Sequence, residues 1–188
     1  MSVDSRSPVE DPEETFLELL TYTELLNTPR LARLYIYILT HSTVAIETAK
    51  TDLEMARSTV YKYIGQLEEM ALLVRNEDHQ PTTVTAEPIR LAIEAGEDGI
   101  IASPALIDAI GRQLETDDIR VFVDRQGVAK LAAALQYAVR IRNGELTQRT
   151  AAAKLDVHPV EAMTVFAALD DVLDDAVDYD PAIAAALE

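Results

Sequence analysis

Hydrophobic residues along this chain recur mostly with the period of a helix, broken in a few places by the two-residue period of a strand. From Pro29 onward, Leu31, Leu34, Tyr35, Ile38 and Leu39 stand at i, i+3, i+4, i+7 and i+8, which lines one face of a helix with apolar side chains. Thr28 occupies the N-cap place and Pro29 suits the first helical position. Phe16, Leu19, Leu20 and Leu26 predict an earlier helix over Glu13 to Leu26. After His41 and Ser42 the pattern changes, and Thr43 to Ile46 is expected to be a short strand. A short helix from Glu47 through Leu53, a turn at Glu54 to Arg57, and a longer helix from Ser58 to about Met70, with Ser58 as its N-cap, complete three helices with brief connections. Ala71 to Arg75, the polar turn Asn76 to Pro81, and Thr82 to Thr85 then form a hairpin.

Beyond the hairpin, Pro88 to Glu94 and Gly99 to Ala102 are expected as two strands joined by a turn at Gly96 to Gly99. Ser103-Pro104 opens a helix carrying Leu106, Ile110 and Leu114, and Ile119 to Val123 alternates like a half-buried strand. The last third is helical. Val128, Leu131, Leu135 and Val139 form a stripe that Asn143-Gly144 stops, and Leu146 to Leu155 and Pro159 to Leu173 supply two more helices around the turn Asp156-Val157-His158. This segment repeats the layout of residues 29 to 70. The fold class is therefore mainly α with a small β component. Its expected parts are an acidic, disordered tail at 1–12, a winged helix-turn-helix at 13–86, a small α+β module at 87–126, and a helical unit at 127–188 that serves dimerisation or an effector.

A helix-turn-helix needs apolar packing positions at fixed offsets around a turn, because the first helix must brace the second while the second lies in the major groove. Ala49, Leu53, Met55, Val60, Ile64 and Leu67 occupy those offsets. The run Arg57-Ser58-Thr59-Val60-Tyr61-Lys62-Tyr63-Ile64, followed by Gln66-Leu67-Glu68-Glu69-Met70-Ala71-Leu72-Leu73, resembles the recognition helix of archaeal MarR- and TrmB-like winged-helix regulators. The resemblance covers roughly residues 27 to 85 and implies double-stranded DNA as the partner. With Val60, Ile64 and Leu67 inward, Ser58, Thr59, Lys62 and Gln66 face outward as base readers. Arg57, Tyr61, Arg75 and His79 are expected at the phosphate backbone. The small residue usual in the bracing helix is replaced by Lys50, whose stem either spaces the helices apart or reaches out to phosphate.

Further along, Ser103 to Ala109 and Ile119 to Val128 resemble the C-terminal region of uncharacterised haloarchaeal regulators, a likeness that brings no known ligand. Thr150 to Ala162 again matches helix-turn-helix spacing, with a small Ala152. Its outer helix offers Glu161, Thr164 and Asp170 in place of basic residues, so a packing or dimerising element is preferred to a second DNA reader.

The charge of the chain runs against double-stranded DNA as the partner. The formal charge is -17, an odd value for a DNA-binding chain, since affinity rests on Lys and Arg neutralising phosphates. Residues 1–26 hold one basic and seven acidic groups, residues 27–83 six and seven, and residues 84–188 nine and nineteen. The window with the motif is thus almost neutral. Lys50, Lys62, Lys130 and Lys154 are the only lysines, and together with the spread of acid this resembles salt-adapted haloarchaeal proteins, in which carboxylates keep the surface hydrated.

Other chemistry finds little support. No cysteine is present, which excludes disulfides, thiolate metal sites and cysteine nucleophiles. The start of the chain lacks the basic and apolar regions of a secretory signal, and no apolar run is long enough to span a membrane, so a cytoplasmic location is expected. Asp170, Asp171, Asp174, Asp175, Asp178 and Asp180 lack the spacing of a calcium loop. His41, His79 and His158 have no spaced partners for a metal. Neither phosphate loop, dinucleotide fingerprint nor nucleophile elbow occurs. The sequence thus predicts a non-enzymatic, cofactor-free, homodimeric transcriptional regulator that an unknown effector could modulate. The alternative is a winged-helix module for protein contacts.

Overall fold

A computed structural model describes residues 23–77, 81–89, 91–93 and 100–188. The tail, most of the Glu13 to Leu26 helix, His79 and the turn at Gly96 to Gly99 lie outside those residues. Residues 23–27, described as helix, are α1. There follow α2 (Pro29–His41), β1 (Val44–Ala45), α3 (Ile46–Asp52), α4 (Arg57–Glu69), β2 (Leu73–Asn76) and β3 (Thr83–Ala86). The three strands form an antiparallel sheet in the order β1-β3-β2, with Val44 opposite Val84 and Arg75 opposite Val84 on the other side. This is the arrangement of a winged helix-turn-helix.

The apolar stripe of α2 behaves as its spacing requires: Leu31, Leu34, Tyr35 and Ile38 are fully buried. Tyr35 also ties the sheet down. Its hydroxyl donates to the Glu87 carbonyl at 2.7 Å and accepts from the Ile89 amide at 2.9 Å, so two backbone groups leaving β3 are satisfied inside the core. Burial pushes the Tyr35 pKa well above the usual tyrosine value.

Two short strands, β4 (Leu91–Ile93) and β5 (Ile100–Ala102), pair antiparallel where the sequence predicts a second hairpin. Then come α5 (Pro104–Gly111), a single 3-10 turn (Arg112–Leu114), α6 (Asp117–Gln126), α7 (Val128–Arg142), α8 (Gln148–Leu155), α9 (Pro159–Ala176) and α10 (Pro181–Leu187). Helix α5 packs along α2, while α7, α8 and α9 pack on one another. One buried cluster runs from Leu25 to Ile183.

Two expectations need correction, and one helix is not marked by the pattern. Ile119 to Val123 is helix, not strand. Thr116 stands at its N-cap, Asp117 and Asp118 lie in its first turn, and Ile119 and Phe122 are buried three residues apart. Helix-start signals and an i, i+3 pair outweigh the β propensity of the valines and phenylalanine. Leu114 leaves the α5 stripe, because the 3-10 turn rotates it outward to 43% exposure. Helix α10, unmarked by any long stripe, forms because Asp180 caps it: the carboxylate accepts from the Ala182 and Ile183 amides and also from Ala105 at the start of α5. Among the described residues no helix is long and apolar enough to cross a membrane.

Candidate nucleic-acid interface

Helix α4 is held by Val60, Ile64 and Leu67, all fully buried, against α3 and α2. It starts one residue earlier than the sequence suggests. Ala56 is the N-cap and no side chain caps the helix, so Ser58 is an exposed helical residue rather than a cap. At 3.6 residues per turn, Ser58, Lys62, Gly65 and Glu69 fall within roughly 60° of one another on the side away from the core, with Tyr61 beside them. Ser58, Tyr61, Lys62 and Glu69 are exposed. Arg57 lies 5.3 Å over the Tyr61 ring, a cation–π contact, and 3.6 Å from Glu47.

Two predicted base readers lie elsewhere. Thr59 and Gln66 are half-buried on the flank of α4, and the Gln66 amide donates to Glu24 on α1 at 3.2 Å. Burial of Val60, Ile64 and Leu67 turns that flank toward α1, which a pattern read along α4 alone does not reveal. Two more of the basic residues expected near phosphate, besides Arg57, are engaged by carboxylates. Arg75 on β2 grips Glu68 of α4 with two hydrogen bonds of 2.9 and 2.5 Å and lies 3.9 Å from Glu77. Lys50 pairs with Glu47, and that partner holds the Glu47 carboxyl below its ordinary pKa. Of the basic residues expected at DNA, Lys62 makes no ion pair among the described residues. His79 lies outside them.

The question raised by Lys50 resolves by one position. Ala49 is the small residue in the bracing helix and is fully buried, whereas Lys50 faces outward beside it. The second motif keeps the same register throughout. Ala49, Leu53, Glu54, Val60, Ile64 and Leu67 correspond in order, at constant separation, to Ala151, Leu155, Asp156, Ala162, Phe166 and Leu169. All but the turn residues are buried in both units. Glu54 and Asp156 both adopt a left-handed backbone, φ 51° and 53°. Outward on α9 stand Val160 at 64% exposure, Met163 at 55%, Thr164 and Ala167. Glu161 and Asp170, expected on that face, are half-buried instead. Glu161 accepts from Gln126, and Asp170 and Asp174 pair with Arg142 of α7. Thus part of the aspartate run, while still solvent-exposed, also bridges α9 to α7.

Between the two motifs lies an open cavity of about 800 Å³, bounded by Thr40, Thr85, Glu87, Asp108, Arg112 and Tyr179 among others. Asp108 is buried and accepts from Tyr179 at 2.6 Å and from Arg112 at 2.9 Å, while Arg112 also reaches Asp175 at 2.5 Å. Burial pulls the Arg112 pKa down, and these carboxylates more than reverse it, so the guanidinium stays charged. Burial, followed by the Asp108 charge, drives the Tyr179 pKa up, so that phenol stays neutral. His41 stacks on Tyr37, and His158 accepts from the Val160 amide as the N-cap of α9. Among the described residues no three His, Asp or Glu side chains gather as a metal site requires.

A family described as "Family of unknown function (DUF7437)" matches residues 113–178, from the 3-10 turn through the second motif and just past α9. No curated protein and no solved structure matches the chain.

Proposed function

We propose that this chain is a sequence-specific, DNA-binding transcriptional regulator of the MarR- and TrmB-like kind from a salt-adapted archaeon, working as a homodimer on a two-fold operator. The observation that carries this reading is the outward face of α4. In a chain of net charge -17, that face presents Arg57, Ser58, Tyr61 and Lys62, while the neighbouring carboxylates Glu47 and Glu68 are tied to basic partners. Ser58 and Lys62 would meet base edges, and Arg57 and Tyr61 the phosphates beside them. The wing of β2 and β3 would follow the backbone alongside. The cavity near Asp108 is where an effector would act, since it touches both the wing and α9.

The test is selection of duplexes from a random pool by the full chain in molar potassium chloride, followed by titration of the enriched sequence against a scrambled one. Enrichment of a motif with a two-fold repeat is the expected result. A pool that stays random would reject the reading. The rival, a protein-contact module, draws on exposed Glu54 and Glu69 at the two ends of this surface, which would repel phosphate. Under the rival, no duplex is enriched at any salt concentration.

A further inference from the structure

Gly65 stands in the interior of α4, on the outward face between Lys62 and Glu69. Glycine there destabilises a helix relative to alanine, because folding removes more backbone freedom. The usual justifications are absent. Its backbone is not left-handed, and a Cβ added to it would meet no atom within 4 Å. Gly111 is the contrasting case: a Cβ there would lie 3.1 Å from the backbone N and Cα of Arg33, where α5 crosses α2. The fold requires that glycine and does not require Gly65. In the second motif the corresponding position is Ala167, exposed on α9. The same scaffold takes an ordinary helix former beside Val160 and Met163, and glycine beside Ser58, Tyr61 and Lys62.

An external surface that must come close supplies the missing reason. A helix with its side chains is about 10–12 Å across and the major groove of B-DNA about 12 Å wide, so the two fit with little clearance. Removing one side chain from the leading face lets the helix axis sit deeper. Glu69, one turn further on, would be repelled by phosphate, which favours entry by the part of the helix before it, from Arg57 to Gly65, in keeping with the usual docking of a recognition helix. We infer that Gly65 is the close-approach point of α4 against duplex DNA, and that its bare backbone sets how far Ser58 and Lys62 reach toward base edges. This rests on the DNA-binding reading above.

The experiment uses the full chain with Gly65→Ala and Gly65→Leu, each melted and each titrated in molar potassium chloride against the duplex enriched by the unaltered chain. For Gly65→Ala the melting temperature rises by roughly 1–4 °C while affinity falls about tenfold or more, and Gly65→Leu loses more still. Opposite signs for stability and binding exclude misfolding as the cause. If both variants bind as the unaltered chain does, Gly65 has no such role and the DNA-binding reading stands. A lower melting temperature for Gly65→Ala would also overturn the inference, because glycine would then serve the fold. Failure of the unaltered chain to enrich any duplex removes the reading and the inference together.

Discussion

On the outward side of α4 the N-terminal motif carries Arg57, Ser58, Tyr61 and Lys62; at the corresponding places α9 carries Pro159, Val160, Met163 and Thr164. Inward, both helices bury an apolar stripe at the same offsets behind a left-handed turn residue. The inward pattern answers to helix packing, which is indifferent to ligand. The outward pattern answers to whatever touches the surface. The surroundings differ too: α4 is followed by the wing hairpin, α9 by the capped helix α10. Near α4 the acids pair locally, whereas on α9 Asp170, Asp174 and Asp175 reach back to Arg142 and Arg112 on neighbouring helices. One motif keeps its outer face available, and the other uses its charges for packing.

Exchanging the outer residues gives the largest expected effect. The double variant Tyr61→Met, Lys62→Thr gives α4 the side chains of α9 and should lower affinity for the enriched duplex by about 100-fold, near 3 kcal/mol, at two base or phosphate contacts of about 1–3 kcal/mol each. Its melting temperature should stay within a few degrees, since both positions are exposed. The reciprocal Met163→Tyr, Thr164→Lys should leave binding unchanged. Fluorescence anisotropy measures both, and a loss of binding in the reciprocal variant alone would reverse the roles of the two motifs.

Tyr35→Phe tests the anchor that only the first unit has. It orphans the Glu87 carbonyl and the Ile89 amide, at a cost of about 1–3 kcal/mol, visible as a lower midpoint in urea. The same residue gives a pH signature. Below the ordinary tyrosine pKa near 10, folded and unfolded chains both hold the proton and the stability is fully present. Above it the unfolded chain releases the proton while buried Tyr35, with its raised pKa, keeps it, so stability falls as pH rises. Urea midpoints from pH 8 to 11 should decline less steeply for Tyr35→Phe, and parallel slopes would contradict its burial.

Gly111→Ala sharpens the contrast between the two glycines. The added Cβ would press on the Arg33 backbone, and overpacking there should cost about 1–3 kcal/mol, readable as a lower melting temperature. Helix caps give the smallest effects. Thr147 accepts from the Thr150 amide at the start of α8, so Thr147→Ala should cost about 1 kcal/mol. Ser58 caps nothing, and Ser58→Ala should stay within about 0.5 kcal/mol. A larger loss for Ser58→Ala would restore the N-cap role that its position suggests.

Elements with long apolar stripes and punctuated ends could be read along the chain alone. Helix α2 with Thr28-Pro29, the wing hairpin around a polar turn, and the repeated spacing of the second motif follow from local steric and hydrophobic rules, which act over a few residues. The inward face of α4 was equally legible, because burial is written in the period of Val60, Ile64 and Leu67. The rest depends on contacts between separate elements of the fold. That Gln66 turns to Glu24, that Arg75 is held by Glu68, and that Ala49 rather than Lys50 meets the core depend on which elements become neighbours. A one-dimensional pattern does not record neighbours. The conversion of Ile119 to Val123 from strand to helix has the same origin: propensity is weak, and packing against α9 outweighs it. Asp180 is the sharpest instance, since one carboxylate caps α10 and the first amide of α5 at once, joining residues 75 positions apart that only the folded chain brings together.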